Sequence, residues 1–402
     1  MFYGWRVVAA LFTILTFTSG LGFYNHAILL QALAADGRFP VETGSVAVSL
    51  FFLIGGITGL GVAPLLERLD ARLIIVSGGV VASAALFTLG HVTETWQLYL
   101  VYAFFGAGFS ASGLIPSTTL VARWFVAQRA RALSVASTGL SVGGVVVTPF
   151  SAVLVTESSL SFATGVMALV YLVGVVPAAL IAVRNSPASL GLQPDGRPVV
   201  DSAVEMPGIA IRDAVSHPFF WTLSVAYIFV MSAQVGGIAH QFGLLSERLT
   251  AAEASFAVAL LPLFSIVGRL AGGVLLERVP ILGFTLVMML VQGTSLLSLA
   301  LLSSPLGLYL ALSLFGVTVG NLLMLQPLIV ADSYGLMHYA RIYAWSNLVT
   351  QVGVAMGPAL LGTLFALSGG YQLPYLVAAG LGFFACMVFI IAKPPGMGGE
   401  RQ

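Results

Sequence analysis

The stretch LLPLFSIVGRLAGGVLLERV, residues 260–279, holds the two observations from which this chain is read. It is apolar over most of its length, and it carries Arg269 eight residues before the pair Glu277-Arg278. At about 1.5 Å of rise per helical residue, Arg269 lies about 12 Å below that charged end. Half the hydrocarbon thickness of a bilayer is about 15 Å, so such a helix puts the guanidinium near the membrane midplane. A charge at that depth is costly unless a partner or a water-filled cavity receives it. The second observation is Leu275-Leu276-Glu277-Arg278, which repeats Leu65-Leu66-Glu67-Arg68 at a spacing of 210.

The composition extends the first observation to the whole chain. Of 402 residues, 58% are hydrophobic and 8% charged, with a mean hydropathy of +1.02. Soluble domains carry about 25% charged residues, so a soluble fold is excluded. Apolar runs of about 20 residues recur along the chain. Only helices or closed barrels satisfy the backbone in lipid, and continuous rather than alternating runs select helices. The expected class is an all-α membrane protein with twelve transmembrane helices. They fall near residues 5–33, 44–66, 73–92, 96–122, 130–156, 160–184, 217–246, 252–276, 281–303, 305–331, 339–367 and 371–392. The one long polar stretch, 185–216, is rich in Pro, Asp and Arg and reads as a linker between 1–184 and 217–402. The first apolar run is too long for a signal peptide and lacks an Ala-x-Ala-type site, so a retained anchor is expected.

The second observation extends as well. VARWFVAQRARALSVAS from Val121 is echoed by VADSYGLMHYARIYAWS from Val330 at a spacing of 209, and Pro149 maps onto Pro358 by the same shift. Each match follows the same number of spans, which indicates two six-helix bundles related as a 6+6 pseudo-repeat. Parallel repeats of this kind are expected to hold a substrate near the midplane between the halves.

Charge orients the chain. With the N-terminus inside, all of the sixteen lysines and arginines except Arg38, Arg248 and Arg269 fall on the cytoplasmic side. The excess of positive charge on one side predicts that both termini are cytoplasmic in a multi-pass protein. All fifteen acids fall in loops or helix ends. Nothing in the spans would neutralise a cation, and Arg269 would repel one. The net charge of +1 gives no case for nucleic acid, and the single Cys386 cannot form an internal disulfide. There is no zinc spacing, no phosphate loop, and no set of nucleophile, base and metal ligands in the spans. Neither a metal, a cofactor nor an enzyme is expected.

Twelve spans, the repeat and the central linker resemble the major facilitator superfamily. Glu67-Arg68-x-Asp70-x-Arg72 after Gly61 resembles its loop motif after helix 2, with Glu67 where Asp is usual and Asp70 where Gly is usual. Tyr3-Gly4-Trp5-Arg6, Trp124-Phe125 with Arg129, Leu190-Gly191-Leu192-Gln193-Pro194-Asp195-Gly196 and Gly268-Arg269 resemble the bacterial branch related to monocarboxylate porters and oxalate–formate exchangers. The resemblance implies the major facilitator fold, a bacterial inner membrane location and a helix-8 arginine that contacts a substrate carboxylate, a position that Arg269 matches. Animal monocarboxylate porters often carry an acid four residues earlier, where this chain has Ser265.

The candidate substrate residues are Arg269, Tyr24, Asn25, His26, His240, Asn321 and Asn347, with Gln234, Gln241, Ser265, Tyr343 and Gln351 as further lining. Arg269 has three readings: an anchor for an anion, a tie between helices through carbonyl or hydroxyl groups, or a side chain snorkelling to the interface. His26 and His240 align at a spacing of 214, as do Gly22 and Gly236. They are read either as proton or carboxylate partners or as hydrogen bonds at helix ends. Tyr343, Asn347 and Gln351 form one helical stripe. Glu67, Arg68, Arg72, Arg123, Arg131, Glu277, Arg278, Asp332 and Arg341 recur in matching loops of the two halves. They are read as a cytoplasmic gate of ion pairs, or as topology and lipid headgroup contacts. The expected function is secondary transport of a small organic anion, a monocarboxylate first, with protons or a counter-anion as coupling partner and a monomer as the unit. The alternatives are export of neutral or amphipathic compounds with Arg269 structural, and a transporter-like receptor or sensor.

Overall fold

The computed structural model describes residues 2–39, 41–196, 208–391 and 394. The expected cytoplasmic Arg197, Lys393 and Arg401 and the linker middle, 197–207, lie outside the described residues. The chain folds as two units, Met1–Glu205 and Met206–Gln402.

In the first unit α1 runs Gly4–Thr18, passes through the π-helical segment Ser19–Tyr24 and continues as His26–Ala35. Then follow α2 (Val41–Arg68), α3 (Ala71–Leu89), α4 (Thr95–Ser112 and Leu114–Trp124), α5 (Arg129–Val142, π-helical Gly143–Val147, Thr148–Glu157) and α6 (Leu160–Ala182). The second unit holds α7 (Pro218–Ser246), α8 (Ala251–Leu275), α9 (Ile281–Leu301), α10 (Pro305–Tyr334), α11 (Tyr339–Ser368) and α12 (Gln372–Ile390). Eleven helices among the described residues are long and apolar enough to cross a membrane, and α8 adds the shorter apolar helix Ala259–Leu275. Leu73, Phe162, Ile181 and Leu306 are large apolar side chains more than half exposed, as a lipid-facing surface requires.

Three expected continuous spans are interrupted. In α4, Pro116 has no N–H to offer the carbonyl of Ser112, and the helix breaks at Gly113. In α1 and α5 the two π-helical segments pack on each other where Gly20 meets Gly143. A Cβ on Gly20 would lie 2.8 Å from the Gly143 oxygen, and one on Gly143 would lie 2.2 Å from the Thr16 oxygen.

The same pairs of helices pack in both units: α1 with α5 and α6, α2 with α4, α3 with α4 and α6, and in the second unit α7 with α11 and α12, α8 with α10, α9 with α10 and α12. Small residues let the backbones close in. A Cβ on Gly106 would lie 2.2 Å from the Phe51 oxygen, and one on Gly316 would lie 2.4 Å from the Leu261 oxygen. Both members of this pair are related by the spacing of 210 first seen in the loops.

The two arginines that break the charge asymmetry obey that spacing as well. Arg38 donates to the carbonyls of Gly90 (3.3 Å) and Val92 (2.9 Å). Arg248 donates to Leu299 and Leu302 (both 2.6 Å) and to Ala300 (3.1 Å). Each guanidinium covers carbonyls at the C-terminal end of a helix, α3 or α9, where unsatisfied acceptors and the helix dipole favour a cation. Their placement on the side poor in positive charge is thus structural.

The ends of the linker are fastened to the loops beside them. Asp195, in the left-handed region at φ 59°, accepts backbone N–H groups from Val126 (3.1 Å), Ala127 (2.8 Å) and Gln128 (3.3 Å) ahead of α5. Asn185 accepts from Ala71 N (2.6 Å). At the far end Ile209 N donates to the Tyr334 carbonyl at 3.1 Å, and Gly208 bridges Gly335. Asp195→Ala removes a cap of the kind worth about 1 kcal/mol. The expected result is a lower melting temperature and faster proteolysis in the loop 125–128.

Candidate functional site

Among the described residues Arg269 is the one charged side chain that is fully buried, at 1% exposure. It sits where α8 crosses α10. The crossing is close because Gly268 and Gly272 on α8 and Gly316 and Gly320 on α10 present backbone. Arg269 Nε donates to the Gly320 carbonyl at 2.8 Å. In the reverse direction Asn321 Nδ2 donates to the Gly268 carbonyl at 2.9 Å, and to Val317 within its own helix at 2.9 Å. Two adjacent residues of each helix therefore exchange hydrogen bonds across the crossing. The Asn321 Oδ1 faces Gly272, where a Cβ would lie 1.7 Å from it, and has no hydrogen-bond partner. Ser265, one turn before Arg269, is buried at 1% and its backbone oxygen lies against Gly320. The position matching Arg269 in the first unit is Gly59, so the charge is a property of one half alone.

A second polar group lies among α7, α10 and α11. Gln326 Nε2 donates to Ser346 Oγ (3.0 Å) and Thr350 Oγ1 (2.8 Å). Ser346 also bonds Ser224 at 2.9 Å. The stripe singled out in the sequence lies beside this group. Tyr343 is buried and stacked on Tyr339, while Asn347 and Gln351 are half-buried. The α11 side chains that bond Gln326 are Ser346 and Thr350, and their spacing of four was the available sign. Gln234 is buried at 1% with its Oε1 unpartnered, and the half-buried Gln241 likewise has an unpartnered Oε1.

The aligned histidines have different surroundings. His240 is half-buried, and its Nε2 contacts the Pro358 carbonyl at 2.9 Å. His26 follows the π-helical segment of α1 and is buried among rings. Asn25 is buried with Nδ2 on Met167 Sδ at 3.3 Å, and Tyr24 is half-buried with its ring against Gly144.

On the loops, Arg123 donates to the Leu66 carbonyl at 2.8 Å and so joins the ends of α4 and α2. Arg72 pairs with Asp70, Nε to Oδ2 at 2.9 Å, and Arg131 lies over the Trp5 ring at 6.0 Å. Glu67, Arg68, Glu277, Arg278 and Asp332 are exposed or half-buried, as is Arg341. The Arg72 hydrogen bond holds the Asp70 carboxyl below its ordinary range. Its stabilisation is complete above the unfolded pKa of about 3.9 and is lost as pH falls through the lower folded value. Asp70→Asn is therefore expected to lower stability at neutral pH by up to about 1 kcal/mol, with the gap to wild type closing near pH 3 in thermal melts.

The Major Facilitator Superfamily model matches residues 12–358, and again 237–402. The chain belongs to that superfamily. Among curated relatives of this superfamily member, monocarboxylate transporter 13 of Rattus norvegicus is 23% identical over 98% of the chain and 92% of its own length. The aspyridones efflux protein of Emericella nidulans is 22% identical over 98% of the chain and 77% of its own. In fold, the chain matches the transporter FucP in its outward conformation with a TM-score of 0.75 at 15% identity, covering 97% and 98% of the two chains. The human organic anion transporter MFSD10 matches with a TM-score of 0.71 at 15% identity, covering 96% and 99%. The twelve-helix reading thus has its fold and family, and the chain is a multi-pass membrane transporter for a small molecule by family.

Proposed function

We propose that this protein is a secondary transporter that moves a small organic anion, a monocarboxylate first, by alternating access, with Arg269 as the anchor of the carboxylate. One observation carries the reading: the fully buried charge among the described residues is a single guanidinium in the C-terminal half of α8, six residues before its last, Leu275. A buried cation attracts an anion strongly because little water screens it. The described acids are all outside the buried set, which disfavours a cationic substrate. The relative named as a monocarboxylate transporter supports the same class. The arginine distribution supports a topology with both termini cytoplasmic, and the resemblance of Tyr3-Gly4-Trp5-Arg6 and Gly268-Arg269 to the bacterial branch supports a bacterial plasma membrane.

The test is uptake and counterflow of labelled lactate, pyruvate, acetate and oxalate in proteoliposomes, each competed by its carboxylate form and by the neutral amide. The expected result is saturable transport that only carboxylates inhibit. Silence for all four would overturn the reading.

A second reading has its own observation. The reciprocal bonds of Arg269 and Asn321 with α10 and α8 carbonyls are what a helix tie requires, and one relative is named as an efflux protein. On that reading the substrate is neutral or amphipathic, and Arg269→Ala keeps transport while lowering thermal stability.

A further inference from the structure

His26 is buried, at 5% exposure, and neither ring nitrogen has a hydrogen-bond partner. Four rings surround it: Phe51 at 4.4 Å between centroids, Phe52 at 5.7 Å, Tyr102 at 5.8 Å and Phe105 at 6.1 Å. The Tyr102 hydroxyl is fully buried and also unpartnered. A buried imidazole and a buried phenol without partners are each costly, and native folds satisfy the great majority of such groups. Their juxtaposition at the break in α1 asks for a function.

We propose that His26 is the proton-binding site of this transporter, and that protonation accompanies opening of its aromatic box. The proposal rests on the reading of the chain as a transporter of anions. An aromatic box within about 6 Å is the arrangement that receives organic cations elsewhere. In the packed arrangement the ring is neutral, because no acceptor faces either nitrogen. When the segment after the π-helical turn parts from α2 and α4, water reaches the ring. One nitrogen then takes a proton through its lone pair, giving an imidazolium with two N–H donors. The same bond breaks when the proton leaves to water on the other side.

The groups facing His26 leave it without a competitor. From α2 come Phe51 and Phe52, and from α4 come Phe105 and Tyr102, of which only Tyr102 titrates. The last part of α5 packs on the same segment and carries Glu157, which is exposed. On α1 itself the neighbours are Tyr24 and Asn25, and beyond it Asp36 is paired with Arg38. His240 differs in having a structural partner, the Pro358 carbonyl at 2.9 Å from Nε2, which accounts for its placement.

The experiment compares wild type, His26→Gln, His26→Phe and, as a control at an exposed histidine outside every candidate site, His91→Gln in proteoliposomes. One unit of pH gradient drives up to about tenfold accumulation per coupled proton. Wild type and His91→Gln are expected to show that stimulation. His26→Gln is expected to keep counterflow and lose the stimulation, and His26→Phe guards against a folding defect of the glutamine variant. Retention of the full response in either folded His26 variant would overturn the proposal, as would the absence of a response in wild type that transports carboxylates. A readout independent of substrate is the imidazole ¹⁵N resonance of His26 in nanodiscs, assigned by its loss in His26→Gln. An imidazolium fraction that grows as pH falls and the box opens is expected, and a ring that stays neutral at every pH at which the protein responds to a pH gradient would overturn the proposal. If no carboxylate is carried, the anion reading fails and this resonance still decides the proton site.

Discussion

Arg269→Gln is expected to lower carboxylate uptake severely, and Arg269→Lys to keep more of it. Glutamine removes the charge and with it charge-assisted hydrogen bonds worth about 1.5–3 kcal/mol each to an anion. Uptake efficiency should fall by about two orders of magnitude, since every 1.4 kcal/mol is tenfold. Lysine keeps the charge on a flexible stem and loses the planar fork, so a higher KM with residual transport is expected. The split matters because Arg269 is also bonded to the Gly320 carbonyl. If the residue only ties α8 to α10, lysine and glutamine should both lower thermal stability by about 1 kcal/mol, and neither should discriminate carboxylates from amides. Transport kinetics and melting curves measured on the same preparations separate the two roles.

Gly106→Val and Gly320→Val should sharply reduce accumulation of folded protein. A Cβ on Gly106 would lie 2.2 Å from the Phe51 oxygen, and one on Gly320 would lie 2.2 Å from the Ser265 oxygen. Real Cβ atoms do not approach so near, and the clashing atoms are backbone, which no rotamer change can relieve. Overpacking of a tight core costs about 1–3 kcal/mol even when side chains can adjust, and here whole helices must move apart. Separation of α8 from α10 would also break the Arg269 and Asn321 hydrogen bonds. Gly380→Val is the control, because nothing lies within 4 Å of the position of its Cβ. The monodisperse fraction after extraction should fall severalfold for the crossing glycines and stay at the wild-type level for Gly380.

Much of the fold was legible because a bilayer is a demanding solvent. Backbone groups in lipid must bond within their own segment, so each apolar run had to be a helix. The helix ends were then marked by charges, as in Glu67-Arg68 at the end of α2 and Glu277-Arg278 after α8. The internal spacing of 210 survived in Glu67-Arg68 and Glu277-Arg278, and the structure extends it to Gly106 and Gly316 and to Arg38 and Arg248. The arginine pair went unread because its purpose is a helix end more than fifty residues away. The breaks in α1 and α5 went unread for a related reason. A π-helical segment is stabilised by what crosses it, and Gly20 meets Gly143 only after both helices are packed.

Determined by the sequence alone were the membrane class, the two related halves, and the single deep cation at Arg269, since these depend on composition, period and rise per residue. Helical period also says which residues share a face, but not what that face meets. Only the tertiary structure decided that Arg269 bonds Gly320, that Ser346 and Thr350 rather than Asn347 serve Gln326, and that His26 sits among rings from α2 and α4 while His240 bonds a carbonyl. Those partners lie tens of residues apart in the chain, and the close approach of glycine-lined helices is what brings them within hydrogen-bonding reach.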